Sequence, residues 1–287
     1  MKKRRFVLNA DDFGLSKASN KAVFEGYQAG ILKSVSLIPN GKGFDEAIQE
    51  ILPQCSDLGV GIHLNITDGN SISDNIDMLI DSDFRFKNTF WDLLLKSYGP
   101  KRKVFFEQVE REFRCQIEKV MSRTRVTHLD SHQHVHSIPP LFEIVSRLAQ
   151  EYNIKQVRTH YEKFYLVPDL YKHLGIRYFI NILKTGLLGF FTIFNEATVV
   201  KYGLKTNDYI IGIIYGSLMD SLVISYGSKA VKYNEVTVEA IIHPRRYEEG
   251  TIDKHFNEYL LTKNKKLKDK IEKLGYEITN YVEKQEE

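Results

Sequence analysis

The chain has 287 residues, 43% of them hydrophobic and 27% charged, the balance of a soluble globular protein with a sizeable core. Disordered and collagen-like classes are excluded, because neither carries that apolar fraction. With 40 Lys plus Arg against 37 Asp plus Glu, the formal net charge is only +3. No nucleic-acid partner is expected without a concentrated basic face.

Positive charge gathers at Lys2, Lys3, Arg4 and Arg5 and again over 263–270. The apolar run after the basic head is broken by Asp11 and Asp12, too early for a signal peptide. Cys55 and Cys115 lie far apart and without metal-ligand spacing, so a reducing, cytoplasmic setting is expected. The most apolar later stretch, 186–194, is about half the length a bilayer needs, and no membrane span is expected.

In chain order, 5–9 reads as a strand and 10–15 as a loop. Ser16 then caps a helix carrying Ala18, Ala22, Val23 and Tyr27 on one side, stopped by Gly30. A strand over 32–38, a short helix over 44–51 and a strand over 58–66 follow. Between 67 and 100 the pattern loosens around Asp68, Gly69, Asn70, Ser71 and Ser73, which predicts a surface excursion. An amphipathic helix over 102–121 carries Val104, Phe105, Val109, Phe113, Ile117 and Val120 as its apolar stripe. A strand at 126–129, a helix over 139–152 opened by prolines and a strand at 154–157 come next.

The stretch 165–227 is interrupted by glycines and aromatics, and its pattern assigns no element. A strand over 236–242 and a lysine-rich helix over 264–274 close the series. Repeated strand–helix alternation implies parallel strands with helical crossovers, hence an α/β sheet or barrel. No linker or internal repeat divides 1–287, so one domain is expected.

Chemistry concentrates at predicted strand ends. His128, Asp130, His132, His134 and His136 share one parity within THLDSHQHVH. A continuous strand would spread them over about 27 Å at ~3.3 Å per residue, too far for one metal. The strand must therefore end near Asp130 and bend, leaving one or two histidines at a site. A helical turn there would make His132 and His136 an i, i+4 pair. The alternative is a hydrogen-bonded histidine cluster capping a helix.

Asp11 and Asp12 follow the first strand, where adjacent carboxylates repel unless a cation or a shared proton relieves them. An Asp-rich turn capping the next helix is the bland alternative. His63 is a lone histidine in an apolar strand, by itself more often a satisfied core residue. Together, strand ends delivering Asp12, His63 and His132 make an Asp/His/His set with open positions, a common hydrolytic metal arrangement. His243 ends another strand before Pro244, which should expose its imidazole at the sheet edge. Arg158, at a further strand end, either anchors a carboxylate or is a surface charge.

Taken together, NADDFG, GIHLNIT, THLDSHQHVH and AIIHP resemble the motif series of YdjC-like carbohydrate deacetylases, a family that includes chitooligosaccharide deacetylases. The match is dense from 5 to about 158 and returns at 236–244. The resemblance implies a distorted (β/α) barrel, TIM-barrel-like and mostly parallel, with one divalent metal, magnesium or zinc, at the strand C-termini. It implies Asp12, His63 and His132 as metal ligands and Asp11 as general base. His243 takes the position of a general acid in broader relatives, and Arg158 would hold Asp11 or the product acetate. The implied substrate is an acetylated amino sugar.

Two departures stand out: Gln133 interrupts consecutive histidines, and Thr159-His160-Tyr161-Glu162 lacks a proline the family often shows. A metal-dependent phosphoesterase and a non-catalytic sugar-binding relative are the competing readings, and Asp11, Asp12 and Asp130 offer few carboxylates for the two metals of the former. Phe190, Phe191, Tyr209 and Tyr215 are candidate sugar-stacking rings, with core packing the commoner role. A homodimer is the default oligomer.

Overall fold

A computed structural model describes residues 4–168 and 170–282, so Lys2 and Lys3 of the basic head lie outside the described residues. The strands are β1 (Arg4–Phe13), β2 (Ser34–Leu37), β3 (Gly59–Leu64), β4 (His128–Ser131), β5 (Gln156–Val157), β6 (Tyr209–Ile211), β7 (Thr237–Ile242) and β8 (Tyr276–Ile278). They form one sheet in the order β5-β4-β3-β2-β1-β7-β6, and every pairing is parallel. β8 pairs with the start of β1, at Arg4–Phe6, below the point where β2 takes over at Asn9. The sheet curls into a half-barrel. Its far ends are linked where Val157 donates its N–H to the Lys205 carbonyl and Ile210 donates to that of Tyr161, each at 3.0 Å.

The helices are α1 (Lys17–Gln28), α2 (Phe44–Glu46), α3 (Phe90–Tyr98), α4 (Arg102–Met121), α5 (Pro139–Glu151), α6 (Ile176–Lys201), α7 (Ser221–Ala230), α8 (Lys254–Thr262) and α9 (Lys265–Lys273). Ser16 caps α1 as expected, in a reciprocal box with Ser19. The short helix expected over 44–51 begins as α2 and continues as a π-helical turn, Ala47–Ile51. On α4, Phe105, Val109, Phe113, Ile117 and Val120 are buried, whereas Val104 of the expected stripe is exposed.

The excursion over 67–100 is not a free loop. It contains α3, opened by a Thr89–Asp92 capping box. Buried polar residues of α4 also pin it: Glu112 accepts from Ser73 N–H and Oγ–H, and Gln108 accepts from Met78 N–H. These polar side chains share the buried face of α4, which an apolar-stripe reading passes over.

The unassigned stretch holds α6, β6 and α7. The apolar run 186–194 lies inside the 26-residue α6, which by length and composition alone is long enough to cross a membrane. The expectation drawn from the short run therefore needs correcting on length. Here α6 packs on α5, Asn195 donates to the Ser137 carbonyl and Thr192 Oγ1 accepts from His160 N–H. Gly186 and Gly189 hid the helix from a propensity reading.

β1 also departs from expectation, because it continues through Asp11 and Asp12 to Phe13 instead of ending at 9. Its register against β2 slips between Ala10 and Phe13. Phe6, Leu8 and Ala10 enter the apolar core, while Asn9 and Asp11 face a polar lumen with Ser36 and Arg158. Gly61 on β3 fits this lumen because His128 fills the space a Cβ would take, at 2.3 Å. The His128 ring is held by Thr127 and Ser36 and cannot retreat freely. Gly61→Ala should therefore destabilise the fold by about 1–3 kcal/mol, read as a lower midpoint in urea unfolding.

Candidate metal centre

The slip in β1 carries the first part of the site. Asp12 sits at φ +64°, a left-handed conformation uncommon outside glycine and often found where function fixes the backbone. This turn sends neighbouring carboxylates to different partners. Asp11 meets Arg158, and Asp12 meets two histidines.

Asp12 Oδ1 lies 3.0 Å from His132 Nδ1 and 3.6 Å from His63 Nε2. The ligand atoms of these three residues lie within 4.8 Å of one another. Asp12 Oδ1 is buried, yet it has no hydrogen-bond partner. A buried carboxylate oxygen without a donor is costly, and a cation in reach of two imidazole nitrogens would satisfy it. The donor set fits a single divalent ion.

His63 is prepared for that role. Its Nδ1 stands 2.8 Å from Asp130 Oδ1, which fixes Nδ1 as the protonated nitrogen and leaves the Nε2 lone pair toward Asp12. Asp130 Oδ2 in turn accepts from Ser36 Oγ–H and contacts Arg158 Nη2, both at 2.6 Å. Burial would lower the His63 pKa, but Asp130, Asp11 and Asp12 outweigh it and raise it. Burial likewise pushes Asp12 upward, yet His132, His243 and His63 bring it well below the usual carboxylate range.

Arg158 is a buried clamp and not a surface charge. It is 1% exposed and grips Asp11 with two parallel hydrogen bonds of 2.7 and 2.8 Å, while Nε and Nη2 reach Glu239. A second Asp/His group, Asp11, His63 and Asp130, has donor atoms equally close. The guanidinium, Ser36 and the His63 ring already occupy its oxygens, so it reads as a hydrogen-bonded support for the first group. Around the cluster, Asp11, Asp12, Asp130 and Glu239 face two guanidinium groups, Arg158 and Arg245, the latter 3.6 Å from Asp12 Oδ2.

The histidine-rich segment separates as its spacing requires. β4 ends at Ser131, and the chain turns through Gln133 and His134, both at left-handed φ. His132 alone of the segment joins Asp12. His136 is no i, i+4 partner of it: its ring contacts Ser131 Oγ and the Arg158 carbonyl. His128 contacts Ser36 and Thr127 inside the lumen, and His134 pairs with His160 at 3.2 Å. Burial lowers the pKa of each of these three, to about 4 for His128 and His136.

His243 reaches the same cleft, but not from a sheet edge, because β7 lies between β1 and β6. Glu258 of α8 accepts from its backbone N–H and lies 3.5 Å from its Nδ1. Burial would lower the imidazole pKa, but Glu258, with Asp12 and Asp11 beyond, holds it up at about 9.

The cleft has a volume of about 300 Å³ and includes Asp11, His63, His132 and His243, with Arg177 and Lys184 of α6 on its wall. Cavities of about 650 and 510 Å³ lie at the opposite strand ends, around Arg125 and Thr127. Size alone does not mark this site. Glu162, at a sequence departure, is buried and accepts from the N–H groups of Gly212, Ile213 and Ile214, and burial pushes its pKa up to about 7. Phe191 and Tyr215 are buried, as core packing predicts, whereas Phe190 is exposed.

Sequence reasoning missed Glu239, Arg245, Glu258 and Lys184. Glu239 alone left a signal, an acid within an otherwise apolar strand. Cys55 and Cys115 are unpaired.

The family profile described as YdjC-like protein matches residues 5–273. The chain is 41% identical over 151 residues to a carbohydrate deacetylase of Clostridium beijerinckii, covering 52% of this chain and 58% of that one. It is 32% identical over 186 residues to one from Halalkalibacterium halodurans, covering 64% and 73%. The match thus spans little more than half the length of the Clostridium relative. A crystal structure from Enterococcus faecalis V583, of a protein to which cellobiose-phosphate cleavage has been ascribed, superposes with TM-score 0.73 at 21% identity, covering 97% of this chain and 98% of that one. That likeness shows the fold.

Proposed function

The chain belongs to the YdjC-like protein family, and from that membership and the strand-end cluster we propose that it is a metal-dependent carbohydrate deacetylase. It removes the N-acetyl group of an amino sugar or oligosaccharide, giving free amine and acetate. The observation that carries this reading is the unpartnered, buried Asp12 Oδ1 facing His63 Nε2 and His132 Nδ1. Relatives named carbohydrate deacetylases supply the substrate class.

Asp12, His63 and His132 hold one divalent ion, which when bound supplies Lewis acidity to the hydrolytic water and the acetamide carbonyl. Imidazole donors suit zinc, and magnesium is the harder alternative. Asp11 takes the proton of the attacking water, oriented for this by the Arg158 fork and by Asn9, whose Nδ2 donates to Asp11 Oδ1 at 2.7 Å. Asp130 keeps His63 in one tautomer. His243 donates its proton to the departing nitrogen, since an amine anion is a very poor leaving group. Gly212, Ile213 and Ile214 N–H groups are occupied by Glu162 and do not serve the oxyanion.

Acetate release from N-acetylated chitooligosaccharides, set beside phosphate release from a generic phosphate ester, tests the reading. Acetate alone supports it, and phosphate alone overturns it.

A pH profile tests His243 as the acid. The imidazole must be protonated to act, so kcat/KM holds below its pKa and falls as pH rises through about 9. Glu258→Gln removes the carboxylate that raises this pKa, and the alkaline limb should move down by about one unit or more. An unmoved limb would assign the proton donor elsewhere.

A further inference from the structure

The cleft opens beside a groove of opposite character. Its volume is about 660 Å³, and Phe90 and Trp91 of α3 and Ile180, Leu183 and Leu187 of α6 line it. Gln133 and Lys184 line both spaces, so the apolar groove continues from the wall of the catalytic cleft. Trp91, Ile180 and Leu183 are 62%, 56% and 75% exposed, although each is a side chain that folding normally hides. A free sugar has little apolar surface with which to cover such walls. A substrate whose sugar sits beside Asp11 and His132 has this groove next to it, across Gln133 and Lys184.

We infer that the groove between α3 and α6 receives a hydrocarbon chain attached to the sugar, so that the substrate is an amphiphilic glycan. This rests on the deacetylase reading and narrows it to sugars with an apolar aglycone. The hydrocarbon contributes by leaving water, and its effect grows with each methylene buried.

The test uses methyl and octyl β-glycosides of N-acetylglucosamine below micellar concentration. Acetate release from the octyl glycoside should exceed that from the methyl glycoside by about tenfold or more in kcat/KM. Ile180→Asn combined with Leu183→Asn should erase that preference while leaving methyl-glycoside turnover unchanged. Trp91 is the sole tryptophan of the chain, so its emission reports the groove directly. Octyl glycoside, and not methyl glycoside, should shift it to the blue, in Asp11→Asn protein as well as in the wild type.

Equal turnover of the two glycosides with a static Trp91 overturns the groove assignment and leaves deacetylation standing. A Trp91 shift without acetate from any glycoside overturns the deacetylase reading and keeps the groove. A dimer in sedimentation that the paired substitutions dissociate shows a second copy covering the groove, and overturns the inference.

Discussion

Asp11→Asn should lower kcat for acetate release by about 10²–10⁴-fold while the purified protein keeps its bound divalent ion. The amide preserves the shape of the side chain, but its one oxygen can accept only one of the two Arg158 hydrogen bonds and it cannot take a proton from water. Asp130 and Glu239 remain to neutralise the guanidinium, so the arginine stays buried in place. His132→Ala should behave differently, losing both ion and turnover, because it removes one of three donors. Elemental analysis beside the kinetic assay separates the two. Loss of the ion together with turnover in Asp11→Asn would make Asp11 a ligand and exchange the roles of the adjacent aspartates, whereas activity without the ion would overturn metal dependence.

Arg158→Met should be the most destabilising single change near the site. The arginine is in contact with Asp11, Asp130 and Glu239, all buried. Removing one partner of a buried ion pair costs about 3–5 kcal/mol, because the other charge stays behind without compensation. Here three carboxylates lose one cation. In a domain of this size each kcal/mol moves the midpoint by roughly 2–4 °C, so thermal unfolding should begin on the order of 10 °C lower. Arg158→Lys should recover only part of this, since a single ammonium cannot reproduce the fork. A Met variant as stable as wild type would mean that the carboxylates are neutralised without the arginine.

The site was legible in proportion to how local its signals were. Adjacent Asp11 and Asp12, the lone His63 and the crowded 128–136 segment stand out because polar residues at predicted strand ends break an apolar pattern. Parity alone showed that those histidines could not all meet one ion, and the structure brings only His132 to Asp12. It could not show which would turn inward. That depends on two left-handed residues, Gln133 and His134, with no glycine to announce them. The end of β1 misled for a related reason: Asp-Asp-Phe-Gly has turn composition, yet a register slip keeps Asp12 within the strand.

Periodicity in the sequence alone determined the parallel α/β class, the capped first helix and the strand-end placement of Asp12, His63, His132 and His243, because these follow from spacing between near neighbours. Tertiary structure decided which of the two expected partners Arg158 clamps, namely Asp11, and it alone decided that Glu258 would charge His243 and that an apolar groove would open against α6. Each of those pairs side chains from separate elements, between 15 and 147 residues apart. Contacts of that kind are set by how the sheet curls, which no local pattern records.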